Sequence, residues 1–194
     1  VVRPAESNAT GWGGFYFEDS VDGSEFHWTR IEGATSSAVH LVRSTPVFDH
    51  VIFKDNSASY GGAIRAELLS SDLQINNSLF LNNFAGAAGG AIYAVGPTGP
   101  GEAALVISDS IFRENNAGTT NATQQNTAGG AIYINGNSRL LRSTFRDNEA
   151  RAYTIYAAGG RYTQGGALYS AGGRSEVIAS SFISNACRMG AHPY

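Results

Sequence analysis

Short apolar runs alternate along the chain with runs of Gly, Ser, Asn and Ala, and two motifs recur in a fixed order. The first motif is Phe followed three residues later by Asn, and it occurs as Phe53/Asn56, Phe80/Asn83, Phe112/Asn115, Phe145/Asn148 and Phe182/Asn185. The second is Gly-Gly-Ala followed by Ile or Leu, and it begins at Gly61, Gly89, Gly129 and Gly165. Strict alternation of the two motifs predicts a repeat architecture.

The spacing of the Phe positions indicates what one repeat contains. Counted from Ile31, which occupies the same phase, the steps are 22, 27, 32, 33 and 37 residues. A step of 22 residues fits one coil of a β-solenoid with three short strands, and no segment has the period of a helix. Within a coil the apolar period is two, so that Ile92 and Ala94 point inward while Tyr93 points outward.

The sequence therefore predicts an all-β, right-handed parallel β-helix of about six coils, with loop insertions at one corner. Clear repeats cover residues 31–192, and residues 1–30 form a degenerate coil. We expect one domain over 1–194. Because the chain starts without Met and stops within a repeat, we interpret it as a piece of a longer polypeptide.

Each motif has a predicted structural role. The Phe residues should stack as a core column, and the Asn residues should form a buried ladder that binds the backbone of its own turn and of the next coil. Paired Gly suits a corner where φ is positive or where a Cβ would collide with a neighbour. Simple turn propensity is the alternative explanation for the Asn residues.

Alternating Phe-x-x-Asn and Gly-Gly-Ala-Ile motifs resemble the repeats of polymorphic outer-membrane proteins, which were first associated with chlamydial surface autotransporters. The resemblance covers roughly residues 31–192. It implies a β-helix at the cell surface, often adhesive or structural. No translocating β-barrel is recognisable in this sequence.

Two groups of side chains are candidates for binding a partner chain or a glycan. The insertion at 149–164 is the longest, and it contains Arg151, Tyr153, Tyr156, Arg161 and Tyr162. Tyr and Arg are favoured at interfaces. The second group is an outward column after the Gly-Gly-Ala motif, with Tyr93, Tyr133 and Tyr169 about 4.8 Å apart. Packing of these Tyr side chains on the coil itself is the alternative in both cases.

Candidate chemistry is sparse. Glu114 and Asp147 occupy one phase of neighbouring coils and could hold a hard cation or act as a carboxylate pair. However, Arg113 and Arg146 alternate with them, which is typical of a solvated face. Nucleotide-binding, zinc, calcium-repeat and nucleophile motifs are missing from the sequence. We predict no catalytic residue, no metal and no cofactor.

Composition excludes several other classes. The net charge of −3 and a charged fraction of 15% give no electrostatic attraction to nucleic acid or anionic membranes. No apolar stretch approaches the roughly 20 residues that cross a bilayer. Asn8, Asn76 and Asn121 match the N-glycosylation acceptor pattern, and Asn121 lies in an insertion.

These observations favour a non-enzymatic, extracellular structural or adhesive module of a large surface or filament protein. Its partners would be other chains or modules of the same assembly, or glycans. A carbohydrate-binding or polysaccharide-cleaving β-helix domain is the alternative. Release of reducing sugar would separate the two.

Overall fold

The computed structural model describes residues 1–4, 11–20, 23–102, 104–118, 126–154 and 163–191. Within these residues the strands stack into four parallel sheets, and successive coils of the chain add one strand after another to each sheet. This architecture is a parallel β-helix, as the motif spacing predicted. One apolar core runs through the coils between the four sheets.

We name the sheets by their content. The Phe sheet contains Arg30–Glu32, Ile52–Lys54, Leu79–Leu81, Ile111–Arg113, Thr144–Arg146 and Ser181–Ile183. The Tyr sheet contains Phe15–Glu18, Val39–Val42, Ile64–Glu67, Ile92–Val95, Ile132–Asn135 and Leu168–Gly172. The insertion sheet contains Ser57–Tyr60, Phe84–Ala88, Asn116–Gly118, Thr127–Ala128, Glu149–Thr154, Thr163–Gln164 and Ala186–Ala191. The fourth sheet contains Glu25–His27, Val47–Asp49, Leu73–Asn76, Ala104–Ser108, Asn137–Leu141 and Ser175–Ile178.

The 22-residue coil that begins at Ile31 has the three expected strands, Arg30–Glu32, Val39–Val42 and Val47–Asp49, whereas the later coils also have strands in the insertion sheet. A short corner separates the fourth sheet from the Phe sheet in each described coil. There the strand Leu73–Asn76 is separated from Leu79–Leu81 by Asn77 and Ser78. Asn77 turns the chain with a φ of 49°. A corner this short leaves no visible gap in the apolar pattern.

A left-handed backbone conformation also explains two sets of mostly polar residues, each of which recurs at one phase of the repeat. The residue three positions before each Phe has a positive φ, and so does the residue two positions after it. The first column is His50, Asn77, Asp109, Arg142 and Ala179, and the second is Asp55, Asn82, Glu114, Asp147 and Ser184. Asn and Asp tolerate this conformation better than most residues. The polar character of these positions therefore has a conformational cause.

The two glycines of each Gly-Gly-Ala motif are required for different reasons. Gly129 has a φ of 67°, which side-chain-bearing residues rarely adopt. A Cβ on Gly130 would collide with the carbonyl oxygen of Gly166 in the next coil. The same pair of constraints recurs in the other three copies of the motif. Both of the reasons that the sequence suggested apply: positive φ to the first glycine, and collision of a Cβ to both, since a Cβ on Gly129 would also meet the carbonyl oxygen of Ile132.

The Phe residues form a column along the core. Phe53, Phe80, Phe112 and Phe145 are fully buried, and neighbouring rings stack at centroid distances of 4.4–4.8 Å. Phe182 continues the column 4.7 Å from Phe145, but its exposed fraction is 44%. The reason is that its strand is the last one of the Phe sheet, and no further coil covers its outer face in the described chain.

The Asn residues form a buried ladder, as predicted, but their side chains bind the backbone of the preceding coil and not that of their own turn. Asn115 Nδ2 donates to Asn148 Oδ1 at 2.9 Å and to the Phe80 carbonyl at 3.0 Å. Its backbone N–H donates to the same Asn148 Oδ1 at 3.1 Å. Equivalent bonds are found at Asn56, Asn83 and Asn148, and Asn185 accepts the last ones. Each amide thus joins its own coil to both neighbours.

A second ladder is made by the Ser that precedes four of the five Phe residues by two positions. Ser110 Oγ accepts from the Ser78 N–H at 3.0 Å and donates to the Ser108 carbonyl at 2.7 Å. Ser78, Ser143 and Ser180 make matching bonds. Buried backbone amides at this corner are therefore satisfied by hydroxyl groups.

Candidate functional site

An outward column of tyrosines runs along the Tyr sheet, as predicted from their phase. Tyr93 and Tyr133 are paired in register, and so are Tyr133 and Tyr169. Their ring centroids lie 4.9 and 5.4 Å apart, with interplanar angles of 13° and 30°. The rings are half-buried and stack face to face along the axis of the β-helix. We call these three residues the Tyr column.

A fourth tyrosine, Tyr60, joins this column from a different sheet. It ends the insertion-sheet strand Ser57–Tyr60, and its ring lies 5.0 Å from that of Tyr93 at an angle of 57°. Sequence reasoning missed Tyr60 because it precedes the Gly-Gly-Ala motif, whereas the other three follow it. Its only signal was its place directly before Gly61.

An open groove lies between the Tyr column and the insertion sheet. It has a volume of about 550 Å³, and we call it the Tyr groove. Its lining is Tyr60, Tyr93, Tyr133, Tyr169, Ala87, Ala88, Asn126, Thr127, Ala128 and Gln164. This volume falls in the range of about 300–1,000 Å³ that small-molecule and cofactor sites occupy.

The groove exists because one register position changes size from coil to coil. Tyr60, Ala88, Ala128 and Gln164 occupy the same position in successive coils. The two Ala side chains leave open space, and Tyr60 and Gln164 close it at either end. The small residues before the glycine pairs therefore create the space beside the Tyr column.

The electrostatics of the groove are those of neutral groups. Burial raises the pKa of Tyr93 and of Tyr133 above the ordinary phenol value, so both are protonated at neutral pH. The nearby Arg65 lies 5.7 Å from the Tyr60 ring but donates to Glu67 at 2.8 Å. Although burial acts to raise it, hydrogen bonds from Arg65 and His40 lower the pKa of Glu67. No Asp, Glu, Lys, Arg or His belongs to the described lining.

The other predicted binding residues lie in or beside the longest insertion. Arg151 is within the strand Glu149–Thr154, and its Nε donates to Glu149 Oε1 at 2.7 Å. Tyr153 is in the same strand, and its backbone pairs with Gly190. Tyr156, Arg161 and Tyr162 lie outside the described residues. Arg151 and Tyr153 thus lie in the insertion sheet, in the same coil as Tyr169 of the Tyr column.

The candidate carboxylate pair lies at exposed corners. Glu114 Oε1 accepts from Arg113 Nη2 at 2.7 Å, and Asp147 Oδ2 accepts from Arg146 Nε at 2.9 Å. In the other polar column, Arg142 binds Asp109 in the preceding coil and lowers the pKa of that carboxyl group. Among the residues with described positions, no cluster of three His, Cys, Asp or Glu side chains could hold a metal ion.

Of the three glycosylation acceptors, only Asn76 lies within the described residues. Asn76 ends a strand of the fourth sheet, where its half-buried side chain accepts a hydrogen bond from Ser108 Oγ at 2.7 Å. Asn8 and Asn121 lie outside the described residues. Glycosylation of all three stays a prediction.

Comparison with known proteins identifies the repeat. The model of the Chlamydia polymorphic membrane protein repeat matches residues 50–67 and 77–95. Each match contains one Phe-x-x-Asn motif and one Gly-Gly-Ala-Ile motif.

The chain thus contains two segments that are similar to polymorphic membrane protein repeats. It is also 37% identical over 94 residues to a protein described as the probable autotransporter YfaL of Escherichia coli (strain K12). That match covers 48% of this chain and 7% of the relative. Proteins with these repeats are exposed at the cell surface, which supports a surface location for this β-helix in broad terms. No solved structure matches the chain. The described residues include no helix long and apolar enough to span a membrane.

Proposed function

We propose that this chain is a non-enzymatic, extracellular β-helix module of a larger surface protein, and that it acts through contacts. The proposal combines a structural function, in which coils stack on other coils, with an adhesive function on the lateral faces. The repeat shared with surface proteins supports the location.

The observation that carries the proposal is that the residues of the two polar columns form the corners of the coils. A β-helix that cleaves polysaccharide needs carboxylates from neighbouring coils that are free to face a substrate. Here Glu114 and Asp147 have left-handed φ values of 56° and 54°, and each is hydrogen-bonded to the arginine before it. Conformation and pairing account for these carboxylates without a reaction.

The structural half of the proposal rests on the last described coil. Val177 and Phe182 are 46% and 44% exposed, whereas their register partners Leu140 and Phe145 are fully buried. We propose that a further coil with the same Phe and Asn positions, from this or another polypeptide, covers this end. The Phe column and the Asn ladder would continue across that interface.

A paired assay tests the function. The purified chain is applied to immobilised glycans and matrix proteins, and in parallel it is incubated with neutral and acidic polysaccharides while new reducing ends are counted. We expect retention on at least one surface and no new reducing ends. Reducing-end release that is lost in Glu114→Gln or Asp147→Asn, but kept in the matched corner variant Asp55→Asn, would overturn the proposal. Absence of retention on every surface would also count against it.

A further inference from the structure

The Tyr groove contains hydrogen-bonding groups without partners. In the described part of the chain, the hydroxyl groups of Tyr60, Tyr93, Tyr133 and Tyr169 make no hydrogen bond. Thr127, which also lines the groove, is 1% exposed, and its Oγ1 has no hydrogen-bond partner. A buried hydroxyl without a partner is uncommon in folded proteins, because its desolvation is unfavourable. A ligand with its own hydroxyl groups would supply partners to the phenol groups along the groove.

The lining also restricts the charge of a ligand. Phenol, amide, hydroxyl and methyl groups make up the described wall, which contains no Asp, Glu, Lys, Arg or His side chain. A phosphate, sulfate or carboxylate would lose its hydration there, and the nearby cation Arg65 lies outside the lining and is already paired with Glu67. The lining therefore favours a neutral, polyhydroxylated molecule.

The orientation of the rings specifies the kind of contact. Tyr93, Tyr133 and Tyr169 stack on one another, so their faces are largely covered by neighbouring rings. The ring faces are therefore less available for stacking against a sugar than the faces of unstacked tyrosines would be. Ring edges and hydroxyl groups remain for the groove, repeated at about 5 Å along the axis, close to the spacing of adjacent strands. A chain of sugar units along this axis could accept and donate one hydrogen bond after another.

An extended peptide fits the groove less well. Peptides that bind as an added strand need unpaired backbone groups at a sheet edge. Along the groove, the strand that contains Tyr93 pairs on both sides, and so does the strand that contains Tyr133. Recognition in the groove must therefore come from side chains.

We propose that the Tyr groove binds a neutral oligosaccharide that lies along the axis of the β-helix. The inference rests on the proposed contact function and names the ligand class of one lateral face. Phenol hydroxyl groups of the Tyr column bind the sugar hydroxyl groups, and Ala88 and Ala128 form the floor.

Two variants test this site. In the triple variant Tyr93→Phe/Tyr133→Phe/Tyr169→Phe the ring stack is kept and three hydroxyl groups are removed. In Ala128→Tyr the floor is filled with the residue that Tyr60 supplies at the same register position in another coil, so the backbone should accept it. Tyr16→Phe is the matched control, because Tyr16 is also on the outer side of the Tyr sheet and donates instead to Glu18 at 3.1 Å.

The measurement is binding of the full chain to a printed array of neutral oligosaccharides beside sialylated and sulfated ones, followed by affinity determination for the strongest neutral oligosaccharide. We expect binding to neutral members and a loss of about tenfold or more in both groove variants, with circular dichroism spectra and melting temperatures like those of the parent chain. Tyr16→Phe should bind like the parent. Absence of binding to neutral members, preference for charged ones, or unchanged affinity in both folded groove variants would overturn the inference. In any of these cases, retention on another surface without sugar release would leave the proposed contact function standing.

Discussion

Two aromatic columns run in parallel along this β-helix, one inside and one outside. The Phe column inside has ring spacings of 4.4–4.8 Å, and the Tyr column outside has spacings of 4.9 and 5.4 Å. Both follow from one side chain per coil at a fixed phase. They differ in burial and in the hydroxyl group, since the central Phe rings are fully buried and the Tyr rings are half-exposed. Stacking thus follows from the repeat itself, and the surroundings of each column determine whether it stabilises the fold or is available for binding.

The largest expected effect is the loss of a central ring from the Phe column. Replacing Phe112 by Ala removes a fully buried side chain between Phe80 and Phe145, and it should lower the free energy of unfolding by about 3–5 kcal/mol. Phe182→Ala is the matched variant at the same phase. It should lose only about 1–2 kcal/mol, because that ring is 44% exposed. Urea titration measures the loss of unfolding free energy in both variants. Equal losses would show that the exposure of Phe182 in the last coil does not reduce its contribution to stability.

The Asn ladder should contribute next. Changing Asn115 to Leu leaves the Asn83 N–H and the Phe80 carbonyl without their partner, so we expect a loss of about 1–3 kcal/mol in the same titration. Gln74→Leu is the control, since this amide is exposed on the fourth sheet and its loss should change stability by less than about 0.5 kcal/mol. A similar small change for Asn115→Leu would refute the ladder.

Removal of a ring from the Tyr column should have a smaller effect on stability. Tyr133→Ala removes two stacking contacts from a half-exposed position, at about 1 kcal/mol, and Tyr133→Phe should be nearly neutral. Comparison of the urea midpoints of these two variants with that of Phe112→Ala tests whether the Tyr column contributes less to stability than the Phe column. A loss for Tyr133→Ala as large as that for Phe112→Ala would make the outer column part of the core.

The smallest effect concerns alkaline pH. Burial raises the pKa of Tyr93 and Tyr133 in the folded chain above the ordinary value of 10.0. The folded state therefore holds these protons more tightly than the unfolded state, and stability is unaffected below about pH 10. It should fall as the pH rises from there through the raised pKa. Melting temperatures of the parent chain and of Tyr93→Phe/Tyr133→Phe across this range measure the effect, and the double variant should lose less.

The sequence was sufficient to predict the coil and its interior columns. The phases of Phe112 and Asn115 repeat so regularly that burial of one and hydrogen bonding of the other followed from the spacing. The strands of the insertion sheet were not predictable, because they form where successive coils differ in length and the apolar pattern is least regular.

The candidate site was predictable only in part. Tyr93, Tyr133 and Tyr169 share a phase, so their alignment could be read from the sequence. Tyr60 approaches from the neighbouring sheet, and the space over Ala128 depends on register between coils whose insertions differ in length. The mutual stacking of the rings depends on side-chain rotamers, which the sequence does not give. These features follow only from the three-dimensional structure.

Binding in the Tyr groove can be mapped directly on the folded chain by nuclear magnetic resonance. The strongest neutral oligosaccharide from the array is added to isotopically labelled protein, and side-chain and backbone shifts are followed residue by residue. Binding in the Tyr groove predicts that the shifts concentrate at Tyr93, Tyr133, Thr127 and Ala128, while the buried Phe112 ring stays unchanged. Shifts confined to the last coil or to other corners, with none at the Tyr column, would contradict it.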